Sequence, residues 1–167
     1  SFVLTALRQV LFQKASETYN HGGRLYPLYL KITGTLFLLA FLPATILIIW
    51  SPEIFSWVFG AKWYVAGEYA RWLVLWLAVA FCNPPSNIFA RIIRQQRNLF
   101  LFELLILFSR ILVFVTGGYY LSAKTTIIAF SIVGCMLNII FILWIGYVLR
   151  YKEKTNVVAV PLGNNQP

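Results

Sequence analysis

Glu103 and Arg110 stand seven positions apart in an otherwise apolar stretch, Leu99 to Tyr120. On a helix that spacing puts them on nearly the same face, about 10 Å apart along the axis. In hydrocarbon such charges are costly unless paired or hydrated, so both are substrate or cavity candidates. Arg110 is expected close to mid-membrane and Glu103 nearer one end. Two roles are open for Arg110. It could face a hydrated path and meet an anionic group, such as a phosphate or a carboxylate on a moving helix. Alternatively it packs as a fixed pair with a carboxylate or carbonyl from a part of the protein outside this sequence.

The run Cys82-Asn83-Pro84-Pro85-Ser86-Asn87 supplies two further candidates, Asn83 and Asn87. Two prolines remove backbone donors, and irregular backbone at membrane depth is tolerated only against protein or a wet cavity. This face is therefore expected to line the inside of a larger bundle. Asn138, with Ser131 and Gly134, suits hydrogen bonds and close packing between helices. Arg91, Arg94 and Arg97 are spaced like one basic face at a helix entrance and are expected to anchor the chain at the cytoplasmic surface.

Chemistry of other kinds finds little support. There is no Asp, the Glu residues are dispersed, and no phosphate loop or nucleophile elbow is present, so the chain is not expected to be an enzyme. His21 stands alone, and Cys82 and Cys135 both fall in apolar stretches, so neither a metal site nor a disulfide is expected. No cofactor is called for.

The elements that must position these residues are four apolar stretches, roughly Ile32 to Trp50, Trp72 to Ala90, Leu99 to Tyr120 and Thr125 to Leu149. Each is long enough for a helix to cross ~30 Å of hydrocarbon at ~1.5 Å per residue. Hydrophobic residues make up 60% of the chain and charged residues 11%, against roughly 45–50% and about 25% in soluble domains. An all-α, polytopic membrane helix bundle follows. Residues 32–150 form its four-helix transmembrane region. Residues 1–31 read as the end of a preceding helix plus an amphipathic cytoplasmic segment, and 151–167 as a polar, mobile cytoplasmic tail. The first apolar piece, Phe2 to Phe12, is too short to span, which suggests a C-terminal fragment of a longer protein.

The net charge of +9 could suggest a nucleic-acid partner, but the placement of the charges argues otherwise. Arg8, Lys14, Arg24 and Lys31 precede the first span, Arg91, Arg94 and Arg97 follow the second, and Arg150, Lys152 and Lys154 follow the fourth. The alternate connectors hold only Lys62, Arg71 and Lys124. The basic excess puts both ends of the chain in the cytoplasm. Trp50, Trp57, Trp63, Tyr64 and Tyr69 cluster at the opposite interface, in a connector expected over Ser51 to Arg71. Membrane lipid is the expected partner, and nucleic acid is not.

Several local patterns carry a family resemblance. They are Val10-Leu11-Phe12-Gln13-Lys14-Ala15-Ser16, Val58-Phe59-Gly60-Ala61-Lys62-Trp63, Ala66-Gly67-Glu68-Tyr69-Ala70-Arg71, and Pro85-Ser86-Asn87-Ile88-Phe89 leading to Arg94-Gln95-Gln96. Their order over about residues 5 to 150 resembles the C-terminal part of the oligosaccharide flippase family. These are bacterial O-antigen and exopolysaccharide translocases of the drug, oligosaccharide and lipid exporter superfamily. The resemblance implies a two-lobed transporter of the inner membrane, of which these four helices form part of the second lobe. It would move undecaprenyl-diphosphate-linked oligosaccharide outward by alternating access, for polysaccharide or O-antigen synthesis. It also implies contacts with the remaining helices of the full-length protein and with polysaccharide assembly proteins, and coupling to a gradient of H+ or Na+. Among the cationic cavity residues of such proteins, Arg110 is the candidate here, and Glu103 stands where many relatives would carry a neutral amide. A multidrug exporter of the same superfamily and a non-transporting component of a polysaccharide assembly complex are the alternatives.

Overall fold

The computed structural model describes residues 24–158, together with Gln13 and Glu17. Most of the expected N-terminal segment, with His21, and residues 159–167 of the expected tail lie outside the described residues. The chain is an all-α membrane helix bundle, and no strand occurs among the described residues. Five helices follow in order: α1 (Leu25–Phe59), α2 (Tyr64–Phe81), α3 (Pro84–Ile92), α4 (Gln96–Tyr120) and α5 (Ala123–Val158), with a 3-10 turn at Ala61–Trp63. α2 and α3 together make one passage, so four passages are long and apolar enough to cross a membrane.

Helix α5 is the hub, packing against α1, α2, α3 and α4, whereas α4 touches only α3 and α5 extensively. α1 lies along α2. Outer faces of α1 and α4 expose Phe37, Leu38, Leu42, Leu101, Phe108 and Leu112, as a lipid-facing surface should. The buried core gathers at one end of the bundle, where Leu25 and Tyr29 of α1 meet Ile88 and Phe89 of α3 and Phe141, Ile145 and Leu149 of α5. Tyr29 fixes that junction. Its hydroxyl donates to the Ile142 carbonyl at 2.8 Å, so it accepts the 2.9 Å hydrogen bond from Ser86.

Two contacts identify the ends of the bundle. Tyr26 N donates to Glu153 Oε1 at 2.6 Å and Lys152 Nζ to the Ile93 carbonyl at 2.8 Å. The start of α1, the α3–α4 turn and the end of α5 therefore share one end, and with them the eight described residues of the ten basic ones assigned to one side. At the opposite end Lys124 pairs with Glu68 at 2.8 Å, and Tyr119 and Tyr120 are 84% and 86% exposed. The charge asymmetry is thus a property of the folded chain.

Two boundaries differ from expectation. Ser51 to Phe59 is not a loop but the last third of α1, which runs through Pro43 and Pro52. At ~1.5 Å per residue its 35 residues measure about 52 Å, more than a bilayer core. Pro52 removes a backbone donor. Helix α2 steadies that turn: Arg71 Nη2 donates to the Ile49 carbonyl at 2.9 Å. A Cβ at Gly67 would lie 2.6 Å from the Ser51 carbonyl oxygen, so only glycine admits this approach. The helix stops at Gly60, whose φ of 97° few other residues adopt. Finally, α5 continues past Arg150 to Val158, so the first part of the expected tail is helical, with Lys152 and Glu153 docked on the other helices.

Candidate functional site

The second passage is broken where the prolines predicted. Helix α2 ends at Phe81, α3 begins at Pro84, and the amides of Cys82 and Asn83 turn back to the Val79 and Ala80 carbonyls. Pro84 and Pro85 fit the first positions of α3, where a missing N–H costs no intrahelical bond. Across this break Asn83 Nδ2 donates to Asn138 Oδ1 of α5, and Asn138 Nδ2 donates to the Gly134 carbonyl at 2.5 Å. The expected cross-helix bonding of Asn138 is present. Asn83 Oδ1 and Asn87 Oδ1 are buried and find no partner among the described residues.

Arg110 lies 14 residues after Gln96 and 10 before Tyr120, about 21 Å and 15 Å along α4. Its guanidinium carbon sits 4.6 Å from the centroid of Trp76 and 5.6 Å from that of Phe130. Trp76 and Phe130 meet edge to face at 5.3 Å, and Phe114 closes the group at 5.0 Å from Phe130. A Cβ at Gly134 would lie 2.8 Å from Trp76 Cδ1, so glycine lets the indole approach α5. The faces of aromatic rings thus stabilise the cation, an arrangement worth ~2 kcal/mol when desolvated. Among the described residues no carboxylate meets Arg110, and its Nε is buried without a partner. Within the described residues, an aromatic cradle surrounds the guanidinium.

Through Trp76, Gly134 and Asn138, Arg110 and Asn83 belong to one contiguous mid-bundle cluster. Glu103 and Asn87 do not join it. They line a separate recess of about 510 Å³ between α3 and α4, with Arg91, Gln96, Leu99 and Phe100. Sharing a helix face therefore did not bring Glu103 and Arg110 to one site. Nor do Arg91, Arg94 and Arg97 form one helical face: Arg91 ends α3, Arg94 occupies the turn with φ 58°, and Arg97 opens α4. All three are exposed at the basic end.

No known protein family, curated protein or solved structure matches this chain. The site must be read from its own residues. Those that sequence reasoning missed are Trp76, Phe130, Lys152 and Glu153. A signal existed for Trp76, since tryptophan prefers the interface and this one stands in mid-span with an indole N–H to satisfy. Its Nε1 is buried without a partner among the described residues. Groups of three or more metal-ligating side chains do not occur among the described residues. The arrangement offers polar hydrogen-bonding atoms and a delocalised cation at membrane depth.

Proposed function

We propose that this chain is the C-terminal part of a bacterial oligosaccharide flippase, contributing to the second lobe of a transporter that works by alternating access. Its cargo is an undecaprenyl-diphosphate-linked oligosaccharide carried across the inner membrane, with the basic end of the bundle in the cytoplasm. The observation that carries this reading is the broken second passage. Lipid offers no donor to Asn83 Oδ1 or Asn87 Oδ1, so a helix interrupted there needs further protein or a wet cavity beside it. Broken helices with exposed polar ends are the usual way a transporter builds a site near the midplane. The family patterns around Gly60, Glu68 and Pro85 supply the identity of the cargo.

The test uses the full-length gene in a strain lacking its own flippase. Restored display of the polysaccharide is expected, and Asn83→Leu is expected to reduce it with the protein still in the membrane. Drug efflux without restored polysaccharide would favour a multidrug exporter. Assembly of the polysaccharide without movement of its lipid-linked unit would favour a non-transporting component. The segment on its own is expected to insert without moving cargo.

A further inference from the structure

From the lining of the α3–α4 recess we infer a binding site for the headgroup of phosphatidylethanolamine, a phospholipid carrying both a phosphate and a primary ammonium. This assignment does not depend on the transport reading. The recess presents one cation, Arg91, and one anion, Glu103, yet neither makes an ion pair among the described residues. Arg91 lies at the end of α3, beside the α3–α4 connection, and Glu103 about two turns after the start of α4. Helical side chains lean toward the N-terminus of their own helix. Arg91 therefore leans into the bilayer and Glu103 back toward its surface, which brings the two charges toward one level on opposite walls.

A phosphate and an ammonium lying side by side in the headgroup layer complement that pair. Arg91 donates to the phosphate, helped by the first amides of α4, a helix with no side-chain cap at its N-terminus. Glu103 accepts from the ammonium, whose N–H donors need such a partner. Phe100, Leu107 and Ile111 recur at helical spacing along α4 and are all exposed, a track on which an acyl chain can lie. A purely anionic headgroup would meet the charge of Glu103. A choline headgroup would bring no N–H donor.

Native mass spectrometry of the full chain tests this, after extraction in mild detergent from membranes containing phosphatidylethanolamine and phosphatidylglycerol. One phosphatidylethanolamine is expected to stay bound when bulk lipid has been removed. Glu103→Gln is expected to lower that retention about tenfold and to turn the preference toward phosphatidylglycerol, while Arg91→Gln lowers retention of both. The unmodified chain gives a second readout: loaded from vesicles of phosphatidylcholine alone it should hold no lipid after the same extraction. Equal retention of choline and ethanolamine lipids, a preference of the unmodified chain for phosphatidylglycerol, or unchanged ethanolamine retention in Glu103→Gln overturns the assignment. So does a lipid-linked saccharide displacing the phospholipid as the retained species.

Discussion

An arginine at membrane depth is costly unless its charge is matched, and here ring faces from two other helices do the matching. Arg110 has its guanidinium carbon 4.6 Å from the centre of the Trp76 ring. Its delocalised, weakly hydrated cation lies over the π-face of Trp76, which lysine, a compact and strongly hydrated charge, would fill less well. Arg110→Lys is therefore expected to destabilise the bundle. A double-mutant cycle of Arg110→Gln with Trp76→Leu should return a coupling of about 1 kcal/mol in unfolding by denaturant. Independent, additive effects would show that the cradle does not hold the guanidinium. A second residue-scale case is Arg94, which closes α3 with its amide to Arg91 and the next amide, Gln95, to Ala90, the C-terminal motif usually built with glycine. Its φ of 58° is strained for a side chain with Cβ. Arg94→Gly should raise the unfolding midpoint, by about 0.5–1 kcal/mol of stability. The cost of Arg110 could be read from one sequence position. The identity of its partners could not, because Trp76 and Phe130 reach it only through the packing of α2 and α5.

At the scale of elements, the four passages were legible because the bilayer imposes their length and an apolar composition. The break in the second was legible because two adjacent prolines cannot continue a hydrogen-bonded helix. The helix ends were not, since outside the hydrocarbon no such constraint acts and tertiary contacts decide. Helix α5 outlasts its apolar stretch because opposite charges at adjacent positions meet helix ends of opposite polarity: Glu153 on the first turn of α1 and Lys152 on the last carbonyls of α3. Glu153→Ala leaves the Tyr26 amide without its partner, a loss of about 1 kcal/mol. If cleavage follows local opening, trypsin should then cut at Arg150 and Lys154 about fivefold faster, and an unchanged rate would mean the end of α5 is held by other means. At the other end of the bundle, α1 continues beyond Pro52 because Gly67 lets α2 lie against it. Gly67→Val is expected to push the helices apart at a cost of about 1–3 kcal/mol, read as a lower unfolding midpoint.

For the whole molecule, the decisive feature is that the described basic residues gather mainly at one end once the chain is folded. The contacts Tyr26–Glu153 and Lys152–Ile93 place three separated basic segments together, and Lys124–Glu68 places the two opposite connectors together. For a chain with four passages and this distribution, the positive-inside rule leads us to propose that the basic end lies inside the cell. Single cysteines at Lys62 and Ser122 should therefore react with a membrane-impermeant maleimide on intact spheroplasts. Cysteines at Arg94 and Lys154 should react only after the membrane is opened. Labelling of Arg94→Cys and Lys154→Cys from outside would invert the bundle. The recess beside Arg91 and Glu103 would then face the outer leaflet, and a cytoplasmic entry of cargo could not begin at the basic end. Mixed labelling of Lys62 and Ser122 would instead break the pairing of their connectors, and with it the argument that joins the Lys124–Glu68 contact to the fold in the membrane.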